Sequence, residues 1–198
     1  MNNDLFKGEC CKMEKILIMA YMGTGKTELE SRYGNVVDFD FQDYKYIYDE
    51  SIRHLPIEQR KGSTNLRTEN KEYPKNFQED AIKLLNEGKI VVSPFIEHTF
   101  RAYDSKEFKE KIKDVRVILV CPERDNFKEY VERFKARGNS DAFIERRRKE
   151  FGTLMDIFDE ASSYEKIVVK PGRYLSDTLL EYGLPLKSIN SEKTYKKI

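Results

Sequence analysis

The stretch Glu14-Lys-Ile-Leu-Ile-Met-Ala20-Tyr-Met-Gly23-Thr24-Gly25-Lys26-Thr27 decides the fold. A short apolar run leads directly into Met-Gly-Thr-Gly-Lys-Thr. The pattern predicts a buried strand, a glycine-rich turn and the start of a helix near Lys26. Chemistry follows from that shape. Glycines let the backbone curl so that several N–H groups converge on a phosphate. The helix that follows adds the positive end of its dipole. Lys26 supplies a mobile cation for the β- and γ-phosphates, and the Thr27 hydroxyl is a ligand for Mg²⁺. The usual pattern is G-x-x-x-x-G-K-[ST]. Here Ala20 stands where the first glycine would be, a departure of one methyl group, and the rest matches.

Outward from this loop, four further β-branched runs organise the chain: Asn35–Asp40, Lys89–Pro94, Asp114–Pro122 and Lys166–Pro171. Each is bounded by Gly, Pro or charged residues, as expected for strands buried on both faces. Helical patterns alternate with them, which predicts an α/β fold with a five-stranded parallel sheet between helical layers. Right-handed crossovers then give a three-layer α/β/α sandwich. The chain reads as one domain over residues 1–198. About fifty residues separate the second and third strands, too many for one crossover helix. Residues 41–89 are therefore read as a substrate-binding insertion, carrying Arg53, Arg60, Lys61 and Arg67, with a mobile loop at Gly62-Ser-Thr-Asn-Leu66. The ends, 1–13 and 187–198, read as flexible.

Composition narrows the function classes. Charged residues make up 36% of the chain, yet the net charge is only +1, so no global basic field points to nucleic acid. Cys10, Cys11 and Cys121 show no metal-ligand spacing and no disulfide framework, which suits a reducing cytoplasm. Residues 1–13 lack the apolar core of a signal peptide, and no run approaches membrane-spanning length. A cytoplasmic protein with no membrane partner is expected.

Several side chains could carry chemistry. Asp38 and Asp40 alternate onto one side of the second strand, at the end that faces the ligand crevice in sheets of this type. One would hold Mg²⁺, and the other would accept a hydrogen bond or proton from an attacking group. Phe127, Tyr130, Val131 and Phe134 form the packed stripe of a helix over 123–137, ended by Gly138-Asn139. Arg133 and Arg137 lie beside that stripe, where arginines on a closing flap would stabilise charge during phosphoryl transfer. A second helix over about 140–161 carries the cluster Arg146-Arg147-Arg148, which reads as partly solvated. Arg147 falls on the apolar face of that helix, odd for a purely structural residue. Ser93 at the third strand's end is a candidate substrate contact or turn cap, and Arg101 just beyond it a candidate anion contact. His54 and His98 read as ordinary surface or packing residues. The third strand lacks the apolar-run-then-Asp ending of motor-type ATPases, so the Mg²⁺ acid would come from Asp38 or Asp40, which favours a small-molecule kinase over a motor.

Met22-Gly-Thr-Gly-Lys-Thr27 followed by Asp38-Phe-Asp40 resembles the opening of shikimate kinases. Ser93 to Asp104 and Arg133-x-x-x-Arg137 are similar in layout to gluconate kinases. The long insertion and the arginine-bearing flap resemble nucleoside monophosphate kinases such as adenylate kinase. All belong to one P-loop kinase superfamily. The resemblance spans roughly residues 14–183 and implies a sheet of order 2-3-1-4-5, a lid near 133–150 and a substrate-binding insertion. It implies ATP and Mg²⁺ as cofactors. Met22, Gly23, Thr24, Gly25, Lys26 and Thr27 would bind the ATP phosphates, Thr27 and Asp38 the metal. Asp40 would orient the acceptor, Arg133 and Arg137 would be lid arginines, and the loop holding Arg173 would lie near the adenine. Two family signatures are absent: a triple glycine after the third strand, and Asp-Gly-[FY]-Pro-Arg, replaced here by Ser93-Pro-Phe. The arginines of the insertion, Arg53 among them, tilt the expected acceptor toward an anionic small molecule such as a nucleoside monophosphate. A nucleotide-gated interaction module is the alternative from another class.

Overall fold

The computed structural model describes residues 14–60 and 62–189. Cys10, Cys11, Lys61 and the tail from 190 onward lie outside them. In chain order the elements are β1 (Lys15–Ala20), α1 (Lys26–Arg32), β2 (Val36–Asp38), α2 (Gln42–Lys45), β3 (Tyr46–Tyr48), α3 (Glu50–Arg53), α4 (Ile57–Arg60), β4 (Arg67–Glu69), α5 (Lys75–Asn86), β5 (Ile90–Pro94), α6 (Glu97–Asp104), α7 (Lys106–Lys111), β6 (Val115–Pro122), α8 (Phe127–Ala136), α9 (Asp141–Glu160), β7 (Glu165–Val169) and α10 (Leu175–Glu181).

The main sheet is parallel, with the order β2-β5-β1-β6-β7. Counting only its own five strands, this is 2-3-1-4-5, as the resemblance implied. The continuous apolar runs explain why it is covered on both faces. Along β1, Leu17, Met19 and Tyr21 enter one core with α5, α7, α8 and α9, while Ile16, Ile18 and Ala20 enter the other with α1 and α10. Each fully buried aliphatic side chain contributes roughly 1.5–3 kcal/mol. Because β1 lies between β5 and β6, the connections diverge there, and the crevice beyond its carboxyl end is where such sheets take ligands. Ala20 is in register with Pro94 and Val120, and Asp38 with Val92, so these strands end close together.

The insertion is smaller than the sequence suggested, because α5 is a helix of the sandwich. Its Phe77, Ala81 and Leu85 are buried against the sheet side that holds Leu17 and Val91. What remains folds around an antiparallel ribbon of β3 and β4, with Tyr46 opposite Glu69 and Tyr48 opposite Arg67. The stretch expected to be a mobile loop holds a 3₁₀ turn, Thr64–Leu66, that feeds β4. At the other end, Lys187 and Ser188 are tied down where fraying was expected. Gly34 N–H donates to the Lys187 carbonyl (3.0 Å), Lys187 N–H donates to Asn35 Oδ1 (2.8 Å), and Ser188 bridges Tyr33.

Helix α8 begins after a 3₁₀ turn over Arg124–Asn126, a few residues later than its apolar pattern implied. It ends as expected at Gly138 (φ 74°), whose N–H donates to Lys135 O, while Asn139 N–H donates to Phe134 O. Ser140 then caps α9 through its side chain. No helix among the described residues is long and apolar enough to cross a membrane.

Candidate functional site

The loop after β1 has the shape its glycines allow. Gly23 and Gly25 take φ of 80° and 99°, a region that L-residues rarely adopt. Both are also covered. A Cβ on Gly23 would stand 3.1 Å from Phe134 Cε1 and 3.3 Å from Tyr130 Cδ1, and one on Gly25 would stand 3.2 Å from Tyr174 Cδ1. Between them Thr24 is fully buried, its hydroxyl donating to Tyr21 O at 2.7 Å. Gly25 is the N-cap of α1 and offers no side-chain acceptor, so no N-cap side chain satisfies the first-turn N–H groups.

Two side chains of α1 face the carboxylates that close β2. Thr27 Oγ1 donates to Asp38 Oδ2 at 2.7 Å, across the gap between the first turn of α1 and the end of β2. Lys26 reaches back to Tyr21 O at 3.5 Å. Desolvation pushes the Lys26 ammonium below its usual range, Asp38 and Asp40 oppose that shift, and Arg137 adds to it. A desolvated ammonium gains from a phosphate placed beside it. Asp40 lies two residues past Asp38 on the same side, since the intervening Phe39 turns into the core and donates its N–H to Val92 O. Its Oδ1 accepts from Gln42 N–H at 2.9 Å.

These groups open onto one cavity of about 1240 Å³. Met22, Gly23, Gly25, Lys26 and Thr27 line its phosphate-loop side, with Asp38 and Asp40 beside them. Arg101, Arg137, Arg146 and Arg147 line it from α6, the end of α8 and α9. Arg137 is exposed. Arg101 is exposed and paired with Glu97 through Nε (3.0 Å) and Nη2 (2.8 Å). Arg147 differs. It sits in the stripe of α9 formed by Ile144, Phe151, Leu154 and Phe158, its side chain is 13% exposed, and Glu150 pairs with it at 2.8 Å. Its Nε has no partner among the described residues. The helix therefore holds a half-desolvated guanidinium, its charge disfavoured first by burial, at the wall of the cavity. Arg148 is turned away, over the Phe127 ring and paired with Glu145.

Three residues named from the sequence, Arg53, Ser93 and Arg173, fall outside the cavity lining, and a fourth, Arg133, lines the cavity but is held inward. Arg53 is 65% exposed on α3, paired with Glu50, and does not line the cavity. Ser93 is fully buried and donates its hydroxyl to Phe39 O at 3.2 Å, a link between β5 and the segment after β2. The Arg173 side chain pairs with Glu181 rather than lining the cavity. Arg133 is 10% exposed and turned inward, donating Nη1 to Gly23 O (3.0 Å) and Nη2 to Arg173 O (2.7 Å) and to Glu129. Arg133 thus stands at the cavity wall beside the phosphate loop, held to Gly23, Arg173 and Glu129.

One contributor was underread. His98, expected to be an ordinary histidine, lines the cavity beside Phe41, with ring centroids 4.4 Å apart at 80°. Burial, then the charges of Lys45 and Arg147, lower its pKa to about 4, so it stands neutral. Its place one turn past the end of β5 was the available signal. Tyr46 and Arg67, stacked at 3.8 Å, bring the ribbon to the same cavity.

No protein-family model matches this sequence, and no curated protein matches it. Among solved structures the chain is similar to the tunicamycin resistance protein of Deinococcus radiodurans, with a TM-score of 0.51 and 14% identity over 88% of this chain and 98% of that one. It is also similar to a gluconokinase from Sinorhizobium meliloti 1021, with a TM-score of 0.47 and 16% identity over 85% and 89%. At such identities likeness concerns the fold. With the 2-3-1-4-5 sheet and the phosphate loop after β1, the fold is P-loop kinase-like.

Proposed function

We propose that this protein is an ATP-dependent phosphotransferase that moves the γ-phosphoryl group to an anionic small molecule, a nucleoside monophosphate or nucleotide-like compound. The observation that carries the reading is one cavity holding two unlike halves: Lys26, Thr27, Asp38 and Asp40 on one side, and Arg101, Arg146 and Arg147 on another. Its volume of about 1240 Å³ exceeds the range of roughly 300–1,000 Å³ usual for one small ligand. Flat surfaces from Phe41, Tyr46 and His98 suit a ring-bearing acceptor better than a sugar acid.

The roles follow from chemistry. The phosphate loop and Lys26 bind the β- and γ-phosphates of ATP. Thr27 and Asp38 offer the hard oxygens that hold Mg²⁺, which needs few protein ligands beside phosphates and water. Bound Mg²⁺ neutralises charge on the transferred phosphates. Asp40 orients the acceptor's attacking oxygen, Arg137 meets charge developing on the equatorial oxygens, and Arg147 binds the acceptor's anionic group. Closure of residues 139–150 over the cavity would exclude water and suppress hydrolysis.

The test is ADP release from Mg·ATP across nucleoside and deoxynucleoside monophosphates, shikimate, gluconate and short oligonucleotides, with Lys26→Ala alongside. Stimulation by a nucleotide acceptor, abolished in Lys26→Ala and cut at least a hundredfold in Asp40→Asn with ATP binding intact, supports the reading. Tight ATP binding with no stimulation by any acceptor would favour a nucleotide-gated interaction module.

A further inference from the structure

Arg133 and Glu129 are i, i+4 neighbours on α8, and neither faces solvent freely: their side chains are 10% and 25% exposed. Together they join three separate segments. Arg133 Nη1 donates to the Gly23 carbonyl of the phosphate loop at 3.0 Å, and Nη2 donates to the Arg173 carbonyl, beyond β7, at 2.7 Å. Glu129 accepts from Gly172 N–H (Oε2, 3.0 Å), from Asn126 Nδ2 (2.8 Å) and from Arg133 itself. The guanidinium lies close to two tyrosine rings, 4.8 Å from the Tyr130 centroid and 4.2 Å from that of Tyr174. Those same rings cover the two positive-φ glycines, Tyr130 over Gly23 and Tyr174 over Gly25. A further link runs from Leu175 N–H to Thr24 O at 2.8 Å.

We propose that Arg133, held by Glu129, is a positioning residue that clamps the phosphate loop to the segment Gly172–Tyr174 and so fixes the loop's phosphate-binding shape before a nucleotide arrives. To reach a transferred phosphate, Arg133 would have to give up its bonds to two carbonyls and to the half-buried Glu129 carboxylate. Arginine suits the clamp because its planar fork donates in two directions while the guanidinium also lies close to two aromatic rings. A lysine keeps the charge but has neither property. The boundary of any moving lid then falls at Gly138, with α8 belonging to the rigid part and Arg137 at the hinge. The clamp rests on the loop binding a nucleotide, not on the existence of an acceptor.

The test combines ligand-free hydrogen exchange with binding of ADP and ATP. In Arg133→Gln, exchange of the amides of residues 21–27 should rise at least tenfold while amides of β6 stay protected. ADP and ATP should weaken by the same factor, tenfold or more, because the loop holds the phosphates they share. Glu129→Gln should shift both readouts in the same direction, and Arg133→Lys should recover only part of the loss. Two results would overturn the clamp: unchanged loop exchange and ADP affinity with only turnover lost, or exchange raised evenly across the molecule with nucleotide affinity preserved. Neither readout requires phosphoryl transfer, so a protein without an acceptor can still pass or fail it.

Discussion

At the scale of single residues, the site depends on a few positions that no other residue type could fill. Gly23 combines a φ of 80° with two aromatic carbons where a Cβ would go. Gly23→Ala should cost about 1–2 kcal/mol from backbone conformation alone, and more from displacing Phe134 and Tyr130. Thermal unfolding and nucleotide titration should show lower stability and weaker binding together; unchanged binding would mean the loop's curl is not what holds the phosphates. His98 gives a pH signature. Its folded pKa of about 4 is below the unfolded value near 6.5, so the unfolded chain binds the extra proton between those limits. Its contribution to stability is therefore present above the unfolded value and is lost as pH falls through that window. Discounted for its partial exposure, the loss is on the order of 1 kcal/mol. Denaturation of wild type and His98→Gln from pH 7 to pH 4.5 should show the gap between them narrowing by that amount. A constant gap would place His98 in a solvated, ordinary environment.

Among the elements, α9 offers the clearest contrast between stability and function. Arg147 stands in an apolar stripe with an unpartnered Nε. Replacing a buried, incompletely paired charge with an apolar side chain of similar volume is commonly neutral or stabilising by about 1–4 kcal/mol. Arg147→Met should leave Tm unchanged or higher while raising the acceptor KM at least tenfold and leaving the KM for ATP alone. A marked fall in Tm would make Arg147 structural. Gly152, in the same helix and exposed, has nothing within 4 Å of where a Cβ would stand. Gly152→Ala should stabilise the fold by about 0.5–1 kcal/mol, read from chemical denaturation, with activity unchanged. The sheet strands and the helices α1, α5, α8 and α9 were legible because their signals are local: β-branched runs, a 3.6-residue stripe, and glycines as stops. The ribbon of β3 and β4 was not. Its strands are three residues long, Tyr-Ile-Tyr and Arg-Thr-Glu, and neither run looks like a strand until it meets the other. The inward turn of Arg133 was hidden for the same reason. Sequence spacing put it beside an apolar stripe, but the carbonyls that capture it are 110 and 40 residues away. Ser93 and Arg53 failed in simpler ways. A strand buried on both faces gives no clue to which face a residue takes, and a four-residue helix can present an arginine to solvent as readily as to a ligand.

For the whole molecule, the topology does most to make the site. Placing β1 between β5 and β6 opens a crevice at its carboxyl end, and the phosphate loop, the β2 carboxylates and the start of α6 all arrive there. Alternating strands and helices with right-handed crossovers predict the three-layer sandwich, and the strand order itself came from the resemblance to P-loop kinases. What the topology does not specify is the arginine-lined half of the cavity, which is assembled from the ribbon, α6 and α9 by contacts between distant segments. Phosphorus NMR of the full chain with Mg·ATP and each nucleoside monophosphate in turn tests the central assignment most directly. The expected result is loss of the ATP γ-phosphoryl signal matched by one new phosphorylated acceptor and ADP, with no exchange in Lys26→Ala. Release of inorganic phosphate alone, at the same rate with and without every acceptor, would contradict it.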